Sequence, residues 1–152
     1  MRIAYKPFPV DKPSPMLGNA REQWWPMVPI RLCDRKLQRR SNRFFAVVDS
    51  GSAVCLFRAE FLAGLGLRLE DGEEDQIQGV GKAVSIPVFF HRINILVGSD
   101  WQIEVSAGFS RELAVTGILG RIGFFDSFRI LFDHSAHPPM LEIERIEHKA
   151  VN

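Results

Sequence analysis

From residue 27 onward the chain is a succession of short apolar runs separated by glycine and acidic turns. Ile93, Ile95 and Val97 alternate with other residues, Gly98-Ser99-Asp100 turns the chain, and Trp101, Ile103 and Val105 alternate back. That period of two predicts a hairpin with one buried face. Met27–Leu32 and Arg43–Val48 predict a second hairpin, and Ala53–Phe57 returns as a strand. Gln76 to Phe90 carries Gly79-Val80-Gly81 between two β-prone runs, so a third hairpin with a glycine-built tip is expected there. Leu113–Leu119, Phe128–Phe132 and Leu141–Ile146 complete the expected strands. Helical spacing occurs twice. Arg58–Leu65 places Phe61, Leu62 and Leu65 on one face before Gly66, and Ile122–Phe128 has room for one or two turns. The pattern predicts an all-β domain over residues 27–152 with one or two short helices.

The first 26 residues differ. Five of the nine prolines fall there (Pro7, Pro9, Pro13, Pro15 and Pro26), which predicts an extended, irregular N-terminal extension rather than a helix or a central strand. Trp24 and Trp25 at its end are too apolar to leave fully wet, so they either pin the segment down or face a partner. Two charged stretches stand out. Arg35, Lys36, Arg39 and Arg40 lie in the connection Cys33–Asn42, flanked by Arg31 and Arg43. The simplest account is a solvated hairpin loop, because no aromatics interleave the cations as nucleic-acid stacking requires. Glu70, Asp71, Glu73, Glu74 and Asp75 surround Gly72 and read as an acidic loop.

Composition narrows the classes. In 152 residues, 46% are apolar and 24% charged, as in an ordinary globular protein, and the net charge is +1. No global field points to nucleic acid or membrane. The longest stretch without Asp, Glu, Lys or Arg is Ala83–His91, nine residues, against about twenty for a membrane span. The N-terminus lacks the apolar core of a signal peptide, and Cys33 and Cys55 make neither a disulfide framework nor a zinc site. A reducing cytoplasm is the expected compartment, with no metal and no cofactor.

Chemistry concentrates at Phe44-Phe45-Ala46-Val47-Val48-Asp49-Ser50-Gly51-Ser52. Five apolar residues end at a carboxylate, and such a strand is expected to deliver the Asp to a buried position. Glycine then lets backbone amides come close to it, and serine hydroxyls can brace the turn. Gly79-Val80-Gly81 follows 30 residues after Asp49, and Gly117-Ile118-Leu119-Gly120-Arg121 about 70 after.

In this order and spacing the chain resembles the retropepsin-like aspartic proteases, single-domain relatives of pepsin. The stretch Gly120–Asp133 resembles their bacterial members. The resemblance runs from about Pro29 to Glu147. It implies a closed all-β acid protease barrel with its active site at a homodimer interface, each subunit contributing one Asp49 to a shared dyad that hydrolyses peptide bonds through an activated water. Ser50 would then bond across the dimer axis, Gly51 would line the substrate channel, and Ser52 would lie near the outer carboxylate oxygen. Gly79, Val80 and Gly81 would form a flap over a polypeptide substrate. Ile118, Leu119 and Gly120 would pack beneath the catalytic loop.

One position departs from the retroviral pattern. Ala53 stands where those members have a second Asp, so Arg121 loses its expected partner. Other accounts of the chain are a retropepsin-like module that binds peptide or dimerises without cleaving, a thiol hydrolase using Cys55 and His91, and a metal site at His134 and His137. The last two are disfavoured, because Cys55 sits in an apolar strand and the histidines have no further ligand nearby.

Overall fold

A computed structural model describes residues 1–13, 15–78, 85–99 and 101–147. The chain divides into two compact units, residues 28–127, and residues 1–27 together with those from 128 onward.

The larger unit is a closed six-stranded barrel. Its strands are β4 (Met27–Cys33), β5 (Phe44–Val48), β6 (Leu56–Arg58), β8 (Ser85–Val97), β9 (Trp101–Ser110) and β10 (Gly117–Leu119). They run in the order β4-β5-β10-β6-β9-β8, and β8 closes the ring by pairing back onto β4 (Ile30↔Val97, Leu32↔Ile95). Closure removes most free edges from a small β protein. A further strand, β7 (Glu73–Gln78), lies outside the ring against the first half of β8.

Alternation decides which side chains face inward. Val28, Ile30 and Leu32 of β4 are buried, as are Ile93, Ile95 and Val97 of β8 and Ile103, Val105, Ala107 and Phe109 of β9. The register Ile93↔Val105 and Ile95↔Ile103 sets these faces together, each buried Ile or Val contributing roughly 1.5–3 kcal/mol. Phe57 lies against Phe109 with ring centroids 5.8 Å apart, and Phe44 stacks on Phe61 at 4.1 Å. Phe61 opens the short helix α1 (Phe61–Leu65), which ends at Gly66 with φ of 70°, the left-handed cap that favours glycine. The second helix, α2, is a single turn at Phe124–Ser127.

Three expectations need correction. The acidic run is strand rather than loop from Glu73 onward, because an edge strand exposes both its faces and so carries charge without apolar alternation. The strand expected over Leu113–Leu119 is confined to Gly117–Leu119. Arg58 donates from Nε to the Leu113 carbonyl (3.3 Å) and from Nη2 to that of Ala114 (3.0 Å), so a side chain takes the place of a sheet partner. The N-terminal segment is irregular only between residues 10 and 21, where a 3-10 turn lies at Pro15–Leu17; on either side it forms short strands.

In the smaller unit, β1 (Arg2–Ala4), β12 (Met140–Arg145) and β11 (Phe128–Asp133) form an antiparallel sheet with β12 in the centre. The two remaining strands, β2 (Lys6–Pro9) and β3 (Glu22–Trp25), form a separate two-stranded ribbon. Pro7 and Pro9 are tolerated because each strand of a ribbon has an open side. Trp25 packs edge-on against Phe8 within that ribbon, while Trp24 is 41% exposed.

Candidate active site

Asp49 follows directly on β5. It is half-buried rather than buried as expected, because the strand ends at Val48 and the turn that follows is exposed, while the two residues before it, Val47 and Val48, are buried. Its backbone N–H donates to the Leu119 carbonyl (3.1 Å), continuing the parallel pairing of β5 with β10 one residue past the strand end. The carboxylate is held from its own turn. The Gly51 N–H donates to Asp49 Oδ1 at 2.8 Å, and the Ser52 N–H donates to the Asp49 carbonyl at 3.2 Å. A Cβ on Gly51 would stand 3.0 Å from Oδ1, a tight contact that would press the carboxylate aside by a few tenths of an ångström.

Ser50 and Gly51 are exposed and Ser52 is half-buried. The Ser52 hydroxyl donates to the Val54 carbonyl (2.8 Å), which commits its proton inside the turn. Beneath the turn, β10 lies between β5 and β6, parallel to the first and antiparallel to the second. Ile118 pairs with both Val47 and Leu56, and Leu119 is fully buried. Gly120 admits no side chain. A Cβ there would meet the Val54 carbonyl oxygen at 2.2 Å and its carbon at 2.5 Å.

Arg121 does not go without partners. Its Nη1 donates to the carbonyls of Ser50 (2.8 Å) and Gly51 (3.3 Å), and its backbone N–H donates to Ser52 (3.0 Å). A guanidinium needs acceptors rather than a carboxylate as such, and the loop supplies carbonyls where Ala53 cannot supply an acid. Only the position of this residue after Gly120 was visible in the sequence. Ile122 continues the contact by donating to the Ala53 carbonyl (2.8 Å), with its side chain 59% exposed. The expected flap residues Gly79, Val80 and Gly81 lie outside the described residues. The hairpin arms that lead to them are β7 and β8, paired as far as Gln78↔Ser85.

The rival chemistries find little support. Cys55 is fully buried, its thiol is 3.8 Å from the Ile122 carbonyl, and burial pushes it up to about 11, which suits packing rather than nucleophilic attack. His91 Nε2 lies 3.1 Å from the Leu69 carbonyl, and its ring stands edge-on to Phe109. His134 meets the Tyr5 hydroxyl through Nε2 (3.2 Å). Among the described residues no group of three His, Cys, Asp or Glu side chains could hold a metal ion, and no helix is long and apolar enough to cross a membrane.

No family model matches the chain, and no curated protein is significantly similar to it in sequence.

Proposed function

We propose that the chain is a retropepsin-like aspartic endopeptidase that acts as a homodimer, with one Asp49 from each subunit in a shared dyad. The observation that carries this is the presentation of Asp49: a half-buried carboxylate at the end of a core strand, held by the Gly51 amide, above a strand inserted between β5 and β6. A surface Asp-Ser-Gly turn has no need of such a support. Further support comes from Ile122, an exposed aliphatic side chain next to the turn and available to a second copy.

Two carboxylates brought together cannot both ionise, so the pair holds one proton. The ionised member accepts a proton from the attacking water. The protonated member donates to the carbonyl oxygen of the scissile peptide. One chain carries one such motif, so the chemistry requires two chains.

Pepstatin-sensitive cleavage of a denatured protein substrate, compared between wild type and Asp49→Asn, tests the proposal. Asp49→Asn is expected to retain fold and dimer and to lose cleavage, because an amide cannot act as base. Equal cleavage by both proteins, or none by the wild type at any acidic to neutral pH, would favour a non-catalytic peptide-binding or dimerisation module.

A further inference from the structure

The basic connection between β4 and β5 is solvated as expected, with residues 35–40 all exposed, but its backbone is held in place. Asp34 Oδ1 accepts the N–H groups of Gln38 (2.8 Å) and Arg39 (2.9 Å), and the Asp34 N–H donates to the Arg39 carbonyl (3.0 Å). Asn94 of β8, 2% exposed, donates from Nδ2 to the carbonyls of Asp34 (3.1 Å) and Arg35 (3.4 Å). Its own amide oxygen accepts from Gln102 Nε2 at 3.0 Å. A buried amide of the barrel wall therefore fixes the backbone that presents the cations.

The fork of the sheet creates the space they face. On one side of β8 the ladder with β7 stops at Glu73↔Phe90, and the ladder with β4 begins at Cys33↔Asn94. Between them, at His91 and Arg92, lies a cleft of about 360 Å³, lined also by Arg35, Lys36 and Arg39 and by the chain that leaves α1 at Gly66. A Cβ on Gly66 would fall 1.6 Å from Arg39 Nη1, so the guanidinium occupies the place of the absent side chain. Among the described residues Asp34 is the single carboxylate lining this cleft, and its Oδ1 is already engaged. Among the described residues none of Arg35, Lys36, Arg39 and Arg92 forms an ion pair.

We propose that this cleft binds a compact multivalent oxyanion of the phosphate type. Four exposed cations around one small volume repel one another, and a ligand of several negative charges relieves that repulsion where a lone carboxylate would not. Guanidinium groups match phosphate oxygens two at a time. Preorganisation of the loop by Asn94 means that binding does not have to order it. Among the described residues no Phe, Tyr or Trp lines the cleft, and its one imidazole, His91, is buried against Phe109 and the Leu69 carbonyl, so bases find no exposed ring to stack on and the ligand is the anion itself rather than a nucleic acid.

The test is calorimetric titration of the full chain at low ionic strength with tripolyphosphate, with orthophosphate and with a short DNA duplex. Tripolyphosphate is expected to bind at one site per chain, orthophosphate about tenfold more weakly, since it carries fewer charges. The double variant Arg39→Ala/Arg92→Ala should lose at least about tenfold in tripolyphosphate affinity. The variant Arg35→Gln/Lys36→Gln leaves the Arg39 contact with Gly66 in place and should show a similar loss, so a folding defect in the first variant does not spare the proposal. Arg21→Ala, on an exposed position of the other unit, should bind as wild type. Absence of tripolyphosphate binding, an equal loss in Arg21→Ala, or tighter binding of the duplex with the same dependence on these arginines would overturn the proposal.

Discussion

The two loops that flank β5 are held by the same device and carry opposite chemistry. At the end that leads into Asp49, Arg121 reaches across and donates to two successive loop carbonyls, those of Ser50 and Gly51. In the β4–β5 connection, just past Cys33, Asn94 donates to two successive loop carbonyls, those of Asp34 and Arg35. Both loops are thus held by a side chain distant in sequence, and both leave their functional groups at the surface. The difference lies in the clamp. Asn94 is neutral and buried, so its bonds are formed away from water and its loss leaves polar groups without partners. Arg121 is charged and exposed, and water can replace it at much lower cost. The cationic loop is therefore fixed by the core, whereas the acidic turn is fixed mainly by strand β10 and trimmed by Arg121.

The largest expected effect at the acidic end comes from Gly120→Ala. Its Cβ meets Val54 backbone, which cannot move aside as a side chain would. A loss of about 3 kcal/mol, or roughly 10 °C in thermal midpoint, is expected by calorimetry. An unchanged midpoint would mean that the turn and β10 are not packed as described.

Cys55 gives the same end a pH signature. Its thiol pKa is raised by burial from 9 to about 11, and the unfolded chain binds the proton less tightly than the folded one. The stabilisation is complete below pH 9 and is lost as pH rises toward 11, up to about 2–3 kcal/mol. The fall in thermal midpoint between these pH values should be steeper for wild type than for Cys55→Ala. Tyr5, also raised by burial, titrates equally in both proteins and cancels from the comparison.

At the cationic end, Asn94→Ala should cost about 2 kcal/mol, because Gln102 and the carbonyls of Asp34 and Arg35 each lose a partner. Hydrogen exchange in the Asp34–Arg39 loop should quicken while exchange in Phe44–Val48 changes little. If both segments quicken equally, the clamp is no more than part of the general core.

The smallest effect on stability belongs to Arg121→Ala, about 1 kcal/mol, in keeping with its exposure. On the proposed peptidase activity the same change should cost about tenfold in turnover, since a small shift of the Asp49 turn misplaces the carboxylate. Arg121→Lys should recover part of that. A fall in stability with turnover intact would assign Arg121 a structural role only.

What the sequence determined by itself was periodic or local. Alternation at Ile93, Ile95 and Val97 against Ile103 and Val105 named both the hairpin and its buried face, because side chains on a strand repeat every two residues wherever one face meets the core. The apolar run before Asp49 and the glycine after it likewise announced a carboxylate delivered to a strand end and approached by an amide. The first half of β7, Glu73–Asp75, was hidden because an edge strand with two exposed faces has no apolar rhythm, and the pairing of β1 with β12 was hidden because its partners lie more than a hundred residues apart. The partners of Arg121 and Asn94 were decided only by the tertiary structure. Those partners are backbone carbonyls, which every residue carries and which no residue type betrays, so only the folded chain shows which of them are left for a side chain to claim.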